Sequence, residues 1–379
     1  MKKIMTKNDF QLQFPAPEDS DLYFHSGGSS GEPKVSVFTY EDYHRQMELA
    51  AEGLFAAGLE PKNDLAMNLF FAGALYGGFI SFFTILEKMQ CRHFPMGAHT
   101  DHHFVAETIV KNKVNVLLGM PSYLLQLFQT EETLLKKAAC VKKIFYGGEH
   151  FSLSQIDFFK KQFNVELIKS ASYGSVDAGP LGFQCQHCTG SVHHLHHRLH
   201  DLEIVEVDVD KAVKDNEIGR LLVTSKVRKG QKIERYEIGD LGRWIKEPCP
   251  CGRPQPRFEL MGRTGDVFRI GATFLNYQSL LKSFSNELNY VGAFQIHLYP
   301  AAGLKKEKIV FNLDAKLMTP PQVDQVEKFL LNVKDFNFVV KKDKLLEYKI
   351  ELIDISQFEK SKAGGKIRNI VDHRIETKK

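Results

Sequence analysis

Apolar runs alternate with amphipathic stretches through the first two-thirds of the chain. Residues 21–25 read as a short strand that enters a Gly/Ser-rich loop. Over residues 40–58, Tyr43, Met47, Ala50 and Leu54 recur at helical spacing and share one face. Residues 104–111 read as a helix, 114–118 (VNVLL) as a buried strand, and Pro121 opens a helix through Phe128. The series continues with a strand at 143–146 that closes on Gly147-Gly148, a helix at 151–163 and a strand at 165–169. Repeated strand–loop–helix units predict an α/β fold whose mostly parallel sheet carries helices on its faces. After Asp201 the pattern changes: 202–209 and 219–225 (GRLLVTS) read as antiparallel strands joined by polar turns, an added β subdomain. From Arg263 the chain becomes lysine-rich, with strands near 294–299 and 308–312 and a helix over 321–331, a small α+β domain. The boundary is placed at 264–266, giving domains 1–264 and 265–379.

One stretch departs from this rhythm. Residues 69–86 (LFFAGALYGGFISFFTIL) carry no charge and approach the length of a membrane span. Gly73, Gly77, Gly78, Ser81 and Thr84 interrupt it, Asn68 precedes it, and no second span accompanies it, so a loop and helix buried in the large domain is expected. The 379 residues, 43% hydrophobic and 25% charged, have the composition of a globular protein of two domains. A formal net charge of +4 is small for this length and gives no reason to expect nucleic acid. Residues 1–10 contain lysines but no apolar signal core, so a cytoplasmic protein is expected.

The first chemical motif is His25-Ser26-Gly27-Gly28-Ser29-Ser30-Gly31-Glu32-Pro33-Lys34. Its glycines let the backbone bend so that several N–H groups converge on an anion; its serines add donors and Lys34 adds charge. This suits phosphate, although it lacks the Gly-Lys-Ser/Thr spacing of a Walker A loop. Flexible linkers share such a composition, so the loop alone decides little.

Further motifs follow in a fixed order: Gly147-Gly148-Glu149, Ser172-Tyr173-Gly174-Ser175-Val176-Asp177, Tyr236-Glu237-Ile238-Gly239-Asp240, Gly262-Arg263-Thr264-Gly265-Asp266 and Gly364-Gly365-Lys366. Together they resemble the adenylate-forming superfamily. Gly119-Met120-Pro121-Ser122-Tyr123-Leu124 and Cys249-Pro250-Cys251-Gly252-Arg253 resemble its phenylacetate–CoA ligase branch. The resemblance implies a phosphate loop over 26–31 with Lys34, and an adenine contact from Gly148, Glu149 and Tyr173. It implies an α-phosphate contact from the Ser172–Ser175 segment and Mg²⁺ ligation by Asp177. Asp240 and Arg263 would hold the ribose, and Lys366 would be the catalytic lysine of a mobile C-terminal domain. The implied activity is attack of a carboxylate on the α-phosphorus of ATP, then thioester formation with CoA or a carrier-protein thiol. Acyl-protein synthetase-like transfer to another acceptor, and a zinc-stabilised nucleotide-binding module without turnover, are the alternatives. Phe70, Phe71, Tyr76, Phe79 and Tyr123 offer an apolar wall for an aryl or acyl group, with core packing the ordinary alternative.

Six cysteines include two close pairs, Cys185/Cys188 and Cys249/Cys251, within segment 185–251. In a chain with no export signal such pairs suggest metal before disulfide, and four thiolates suit a structural Zn²⁺. The resemblance adds a histidine: His193 could replace Cys188 as fourth ligand. Cys91 and Cys140 stand apart in apolar surroundings, as inert core residues do.

Four departures from the family pattern bear on function. The resemblance implies roughly eighty to a hundred residues ahead of the phosphate loop, with helices that would support a homodimer, where this sequence starts almost at the loop. Asp177 stands where glutamate is expected, Gly265 where the hinge has an acid, and the loop at 268–271 is a residue short. The last two bear more on CoA use than on adenylation.

Overall fold

A computed structural model of the chain describes residues 2–25, 35–207, 209–263, 267–270, 273–299, 307–318, 320–337, 340–341, 346–360 and 366–374. The chain divides into two compact units. One comprises Met1–His150, Phe159–Gly262 and Lys362–Lys366; the other comprises Phe151–Phe158, Arg263–Ser361 and Ile367–Lys379.

In the first unit, a five-stranded parallel sheet has the spatial order Arg92–Phe94, Leu65–Leu69, Val116–Gly119, Lys143–Tyr146, Leu167–Ser170. Its inner strands are short and almost wholly apolar, as a sheet covered on both faces requires. Helices Tyr40–Ala57, Gly78–Lys88, His102–Asn112 and Pro121–Thr130 belong to the same unit. Helix Tyr40–Ala57 begins with a reciprocal cap: Asp42 N donates to Thr39 Oγ1 at 3.0 Å, and Thr39 N to Asp42 Oδ2 at 3.2 Å. It ends at Gly58, whose φ of 114° only glycine adopts cheaply. The face read from the sequence is the one buried: Tyr43, Met47, Ala50 and Leu54 pack with Phe70, Leu86, Val116 and Phe145. Each of the Met, Leu, Val and Phe side chains among them contributes about 1.5–3 kcal/mol by leaving water.

The uncharged stretch at 69–86 finishes one strand, turns through positive φ at Gly73, Ala74 and Leu75, and then forms helix Gly78–Lys88. Among the described residues, no helix is long and apolar enough to cross a membrane.

A seven-stranded antiparallel sheet follows the parallel one. Its order is His200–Val205, Gly219–Ser225, Tyr236–Ile245, Arg257–Arg263, Val192–Leu195, Gly179–Phe183, Tyr173–Ser175. The strand expected at 202–209 lies slightly earlier; the one at 219–225 has the expected bounds. An antiparallel ribbon pairs Leu22–His25 with Val35–Phe38, His25 opposite Val35.

In the second unit, strands Leu346–Ile353, Glu307–Asp314, Phe294–Tyr299 and Ile370–Asp372 form a mixed four-stranded sheet. Its core gathers Phe284, Phe294, Ile296, Phe311, Val326, Leu330 and Phe336, all at most 2% exposed. The α/β architecture with an antiparallel sheet and a C-terminal α+β region is therefore the one the pattern predicts.

Candidate functional site

Three strands of the parallel sheet end in register: Gly119 lies opposite Tyr146, and Tyr146 opposite Ser170. The segments that follow them, at Met120–Ser122, Gly147–Glu149 and Ala171–Tyr173, therefore leave the carboxyl edge together. This is where open α/β sheets place their ligands.

Side chains tie these segments to one another. Glu149 accepts from Ser122 N at 2.9 Å and from Ser122 Oγ at 3.0 Å. A carboxylate thus sits at the N-terminus of helix Pro121–Thr130, where the helix dipole favours it. Gly148 has φ +81°, and a Cβ there would stand 2.9 Å from Lys366 Cε and 3.1 Å from its Nζ. The Tyr76 hydroxyl would lie 3.6 Å from the same point. Lys366, remote in sequence, thus lays its ammonium end against the Gly147-Gly148 turn.

Tyr173 donates its hydroxyl proton to Asp240 Oδ2 at 2.6 Å, joining two residues the resemblance assigns to the nucleotide. Gly174 has no room for a side chain: a Cβ would fall 2.2 Å from Gly179 O, at a register shift in the sheet. Ser175 Oγ accepts from Ala178 N at 3.1 Å and so stabilises the turn that follows. Arg263 ends strand Arg257–Arg263. The expected phosphate loop, Ser26, Gly27, Gly28, Ser29, Ser30 and Gly31 with Lys34, lies outside the described residues, as do Thr264, Gly265 and Asp266 of the hinge motif.

Asp177 differs from its expected setting as a Mg²⁺ ligand. It is 6% exposed, and its two carboxylate oxygens accept from the Ser36 and Tyr236 hydroxyls, each at 2.6 Å. Arg228 donates to its backbone carbonyl and to Val37 O at 2.8 Å, with its guanidinium 4.0 Å above the Phe38 ring. Burial brings Arg228 down to about 10. Aspartate is one methylene shorter than the expected glutamate, and here its charge is spent inside the hydrogen-bond network beneath strand Val35–Phe38. Each oxygen keeps a second lone pair, so a metal contact would have to come on top of these hydrogen bonds, at a carboxylate that is already buried.

Of the aromatic side chains proposed as an acyl wall, Phe70 stacks on Phe82 at 4.2 Å within the core. Phe71 and Phe79 pack against the same core. Tyr123 donates to His99 O at 2.8 Å. Tyr76, 9% exposed, is the one whose hydroxyl approaches Gly148.

The thiols form a second constellation. Cys185, Cys249, Cys251 and His194 bring one ligand atom each within 4.8 Å of one another. Cys185 Sγ is 3.5 Å from Cys188 Sγ and 3.6 Å from Cys249 Sγ, and Cys251 Sγ is 3.5 Å from His194 Nε2. The four cysteines are free thiols. Sulfurs at about 2.3 Å from a tetrahedral Zn²⁺ would be about 3.8 Å apart, so the spacing fits that ion. Burial pushes the Cys185 and Cys188 thiols above their ordinary range, which a cation would reverse. His194 Nδ1 lies 3.3 Å from Gln255 O, an arrangement that keeps the proton there and turns the Nε2 lone pair to the thiols.

His193 is not in this cluster. Its Nδ1 faces Ser191 O at 2.9 Å, and its ring packs against Tyr173 and Phe258. Successive residues of a strand point to opposite faces. In strand Val192–Leu195, His194 pairs with Phe183, two residues before Cys185, and so faces the thiols. That alternation is the signal by which His194 could have been found. The cluster's fourth member is thus His194, with Cys188 alongside Cys185.

The sequence pattern described as AMP-binding enzyme matches residues 3–228. The phenylacetate-coenzyme A ligase of Escherichia coli (strain K12) is 22% identical over 275 residues, covering 70% of this chain and 61% of that ligase. The phenylacetate-coenzyme A ligase of Thermus thermophilus is 27% identical over 272 residues, covering 68% of this chain and 58% of its own. The chain thus spans about three-fifths of the length of these relatives. A crystal structure of 2-hydroxyisobutyryl-CoA ligase in the postadenylation state, in complex with 2-HIB-AMP, matches with a TM-score of 0.78 at 18% identity. The match covers 98% of this chain and 80% of that one, a likeness of fold.

Proposed function

Because the chain belongs to the family of AMP-binding enzymes, on the side of its phenylacetate–CoA ligase branch, we propose that it activates a carboxylic acid with ATP and passes the acyl group to CoA. A carboxylate oxygen attacks the α-phosphorus, the bond to the β-phosphate oxygen breaks, and pyrophosphate leaves. The thiol sulfur of CoA then attacks the acyl carbon, the thiol proton is lost, and AMP departs. Two anions must meet in the first step, so positioning and charge neutralisation carry most of the work.

The observation that carries this reading is the placement of the Lys366 ammonium against Gly148 at the carboxyl edge of the parallel sheet. There it would neutralise negative charge on the α-phosphate as the acid approaches. The joined pair Tyr173–Asp240 would present a ring to the base and a carboxylate to the ribose hydroxyls. Glu149, held on Ser122, would keep the Gly147-Gly148 turn open to the adenine. Mg²⁺ would neutralise the phosphates of ATP. Asp177 is buried and hydrogen-bonded to Ser36 and Tyr236, so it would reach that ion only through the remaining lone pairs of its oxygens. The thiol cluster with His194 would hold a structural Zn²⁺: every donor comes from the protein, which leaves no open position for chemistry. An aryl acid is the proposed substrate class, following the phenylacetate ligases.

ATP–pyrophosphate exchange with aryl, fatty and amino acids tests the proposal. Exchange that depends on an aryl acid, with AMP formed once CoA is added, is the expected result. ATP binding with no exchange for any acid would instead point to a nucleotide-binding module.

A further inference from the structure

We propose that His297, His373 and Glu359 form a binding site for a divalent transition-metal ion of the Zn²⁺, Ni²⁺ or Co²⁺ class on the C-terminal sheet, separate from the thiol cluster. His297 lies on strand Phe294–Tyr299 and His373 directly follows strand Ile370–Asp372, which runs parallel to it. Glu359 precedes the Lys360–Ile367 bridge. One donor atom from each of the three lies within 4.8 Å of the others.

The tautomer of His297 follows from its neighbours. Gln295 Nε2 donates to two backbone carbonyls, Glu359 O at 2.9 Å and Arg368 O at 2.8 Å, while its Oε1 accepts from Glu359 N at 3.1 Å. The amide can therefore point only one way. Its oxygen lies 2.9 Å from His297 Nε2, so that nitrogen carries the proton. Nδ1 is left as a lone pair, and it faces His373 Nε2 at 3.0 Å. An acceptor that holds the far N–H of a ligating imidazole fixes its tautomer and ring plane, and the Gln295 oxygen can fill that role.

The spacing fits an ion. Two nitrogens at about 2.1 Å from a metal, in adjacent octahedral positions, are about 3.0 Å apart. His373 stacks on Tyr299 at 4.4 Å with the rings 8° from parallel, which fixes its plane. Two imidazoles and one carboxylate form a donor set suited to borderline transition ions. His297 is 7% exposed, whereas His373 and Glu359 are open to solvent, so an ion has a route in. Arg368 Nη1 stands 3.5 Å from Glu359 Oε2, an exposed contact that an arriving cation can displace. Bound there, the ion would clamp the segment before the Lys360–Ile367 bridge and the turn after strand Ile370–Asp372 onto strand Phe294–Tyr299. The competing arrangement is a simple hydrogen bond, His373 Nε2–H to His297 Nδ1, which takes up no metal.

The test is calorimetric titration of the whole chain with NiCl₂, comparing wild type, His373→Ala and Glu359→Gln. His373 is exposed, so its alanine variant is expected to melt as wild type does without metal. Any Ni²⁺ at the thiol cluster is common to all three proteins, so the differences report on this site. The expected result is one fewer Ni²⁺ per chain in His373→Ala and at least tenfold weaker binding of that equivalent in Glu359→Gln. Equal stoichiometry and affinity in all three proteins would overturn the proposal.

Discussion

Replacing Asp177 by asparagine separates a structural carboxylate from a metal ligand. The change keeps the shape and removes the charge. In the wild type, hydroxyls from Ser36 and Tyr236, themselves fully buried, each donate to one carboxylate oxygen at 2.6 Å. Hydrogen bonds to a buried charged group contribute about 1.5–3 kcal/mol each. Asparagine keeps one acceptor oxygen and offers an amide N–H to the other hydroxyl, which can turn to accept it, so about 1–2 kcal/mol of the pair is lost. Arg228, 6% exposed, also loses a nearby countercharge that favours its ionised form. Together these give a destabilisation of about 2–4 kcal/mol. Urea unfolding at pH 7 measures it directly, with the Mg²⁺ dependence of pyrophosphate exchange followed in parallel. The expected outcome is a lower midpoint with an unchanged Mg²⁺ requirement among molecules that remain folded. Unchanged stability together with a raised Mg²⁺ requirement would refute the reasoning and return Asp177 to the metal.

Other consequences can be checked separately. His194→Ala should lower bound Zn²⁺, measured by elemental analysis after dialysis, by at least tenfold in affinity, whereas His193→Ala should leave the metal in place. Burial holds His196 down at about 3 and His200 at about 4, so both stay neutral in the folded chain while the unfolded chain takes up protons below about 6.5. Stability must therefore fall as pH drops from 7. His200 alone accounts for about 2 kcal/mol by pH 5, so a His200→Gln variant should show that much less pH dependence in urea unfolding. Gly174→Ala places a Cβ 2.2 Å from a backbone oxygen that cannot swing away, and should destabilise by about 2 kcal/mol or more in the same assay.

What could be read from the sequence depended on how local its cause was. The β–α alternation, the buried face of helix Tyr40–Ala57 and the strand Gly219–Ser225 follow from short-range periodicity, and the structure has them. The order of the antiparallel sheet was not legible, because strand Arg257–Arg263 inserts beside Val192–Leu195 through pairings remote in sequence. The placement of Lys366 at Gly148 was approachable only through resemblance, since no local pattern distinguishes one lysine in a lysine-rich tail. His194 was within reach of strand alternation, but choosing between adjacent histidines needed the register against Phe183. Asp177 shows the opposite limit: a motif position names a residue type, while its neighbours decide where the charge is spent.

The most direct test of the central claim is Lys366→Ala, assayed for both nucleotide binding and acid-dependent ATP–pyrophosphate exchange. Lys366 brings its Cε and Nζ up to the Gly148 turn. Its loss should abolish exchange while leaving ATP affinity within a few-fold of wild type, because the charge matters most where two anions approach each other. Full exchange in the variant would contradict the assignment of adenylation to this site.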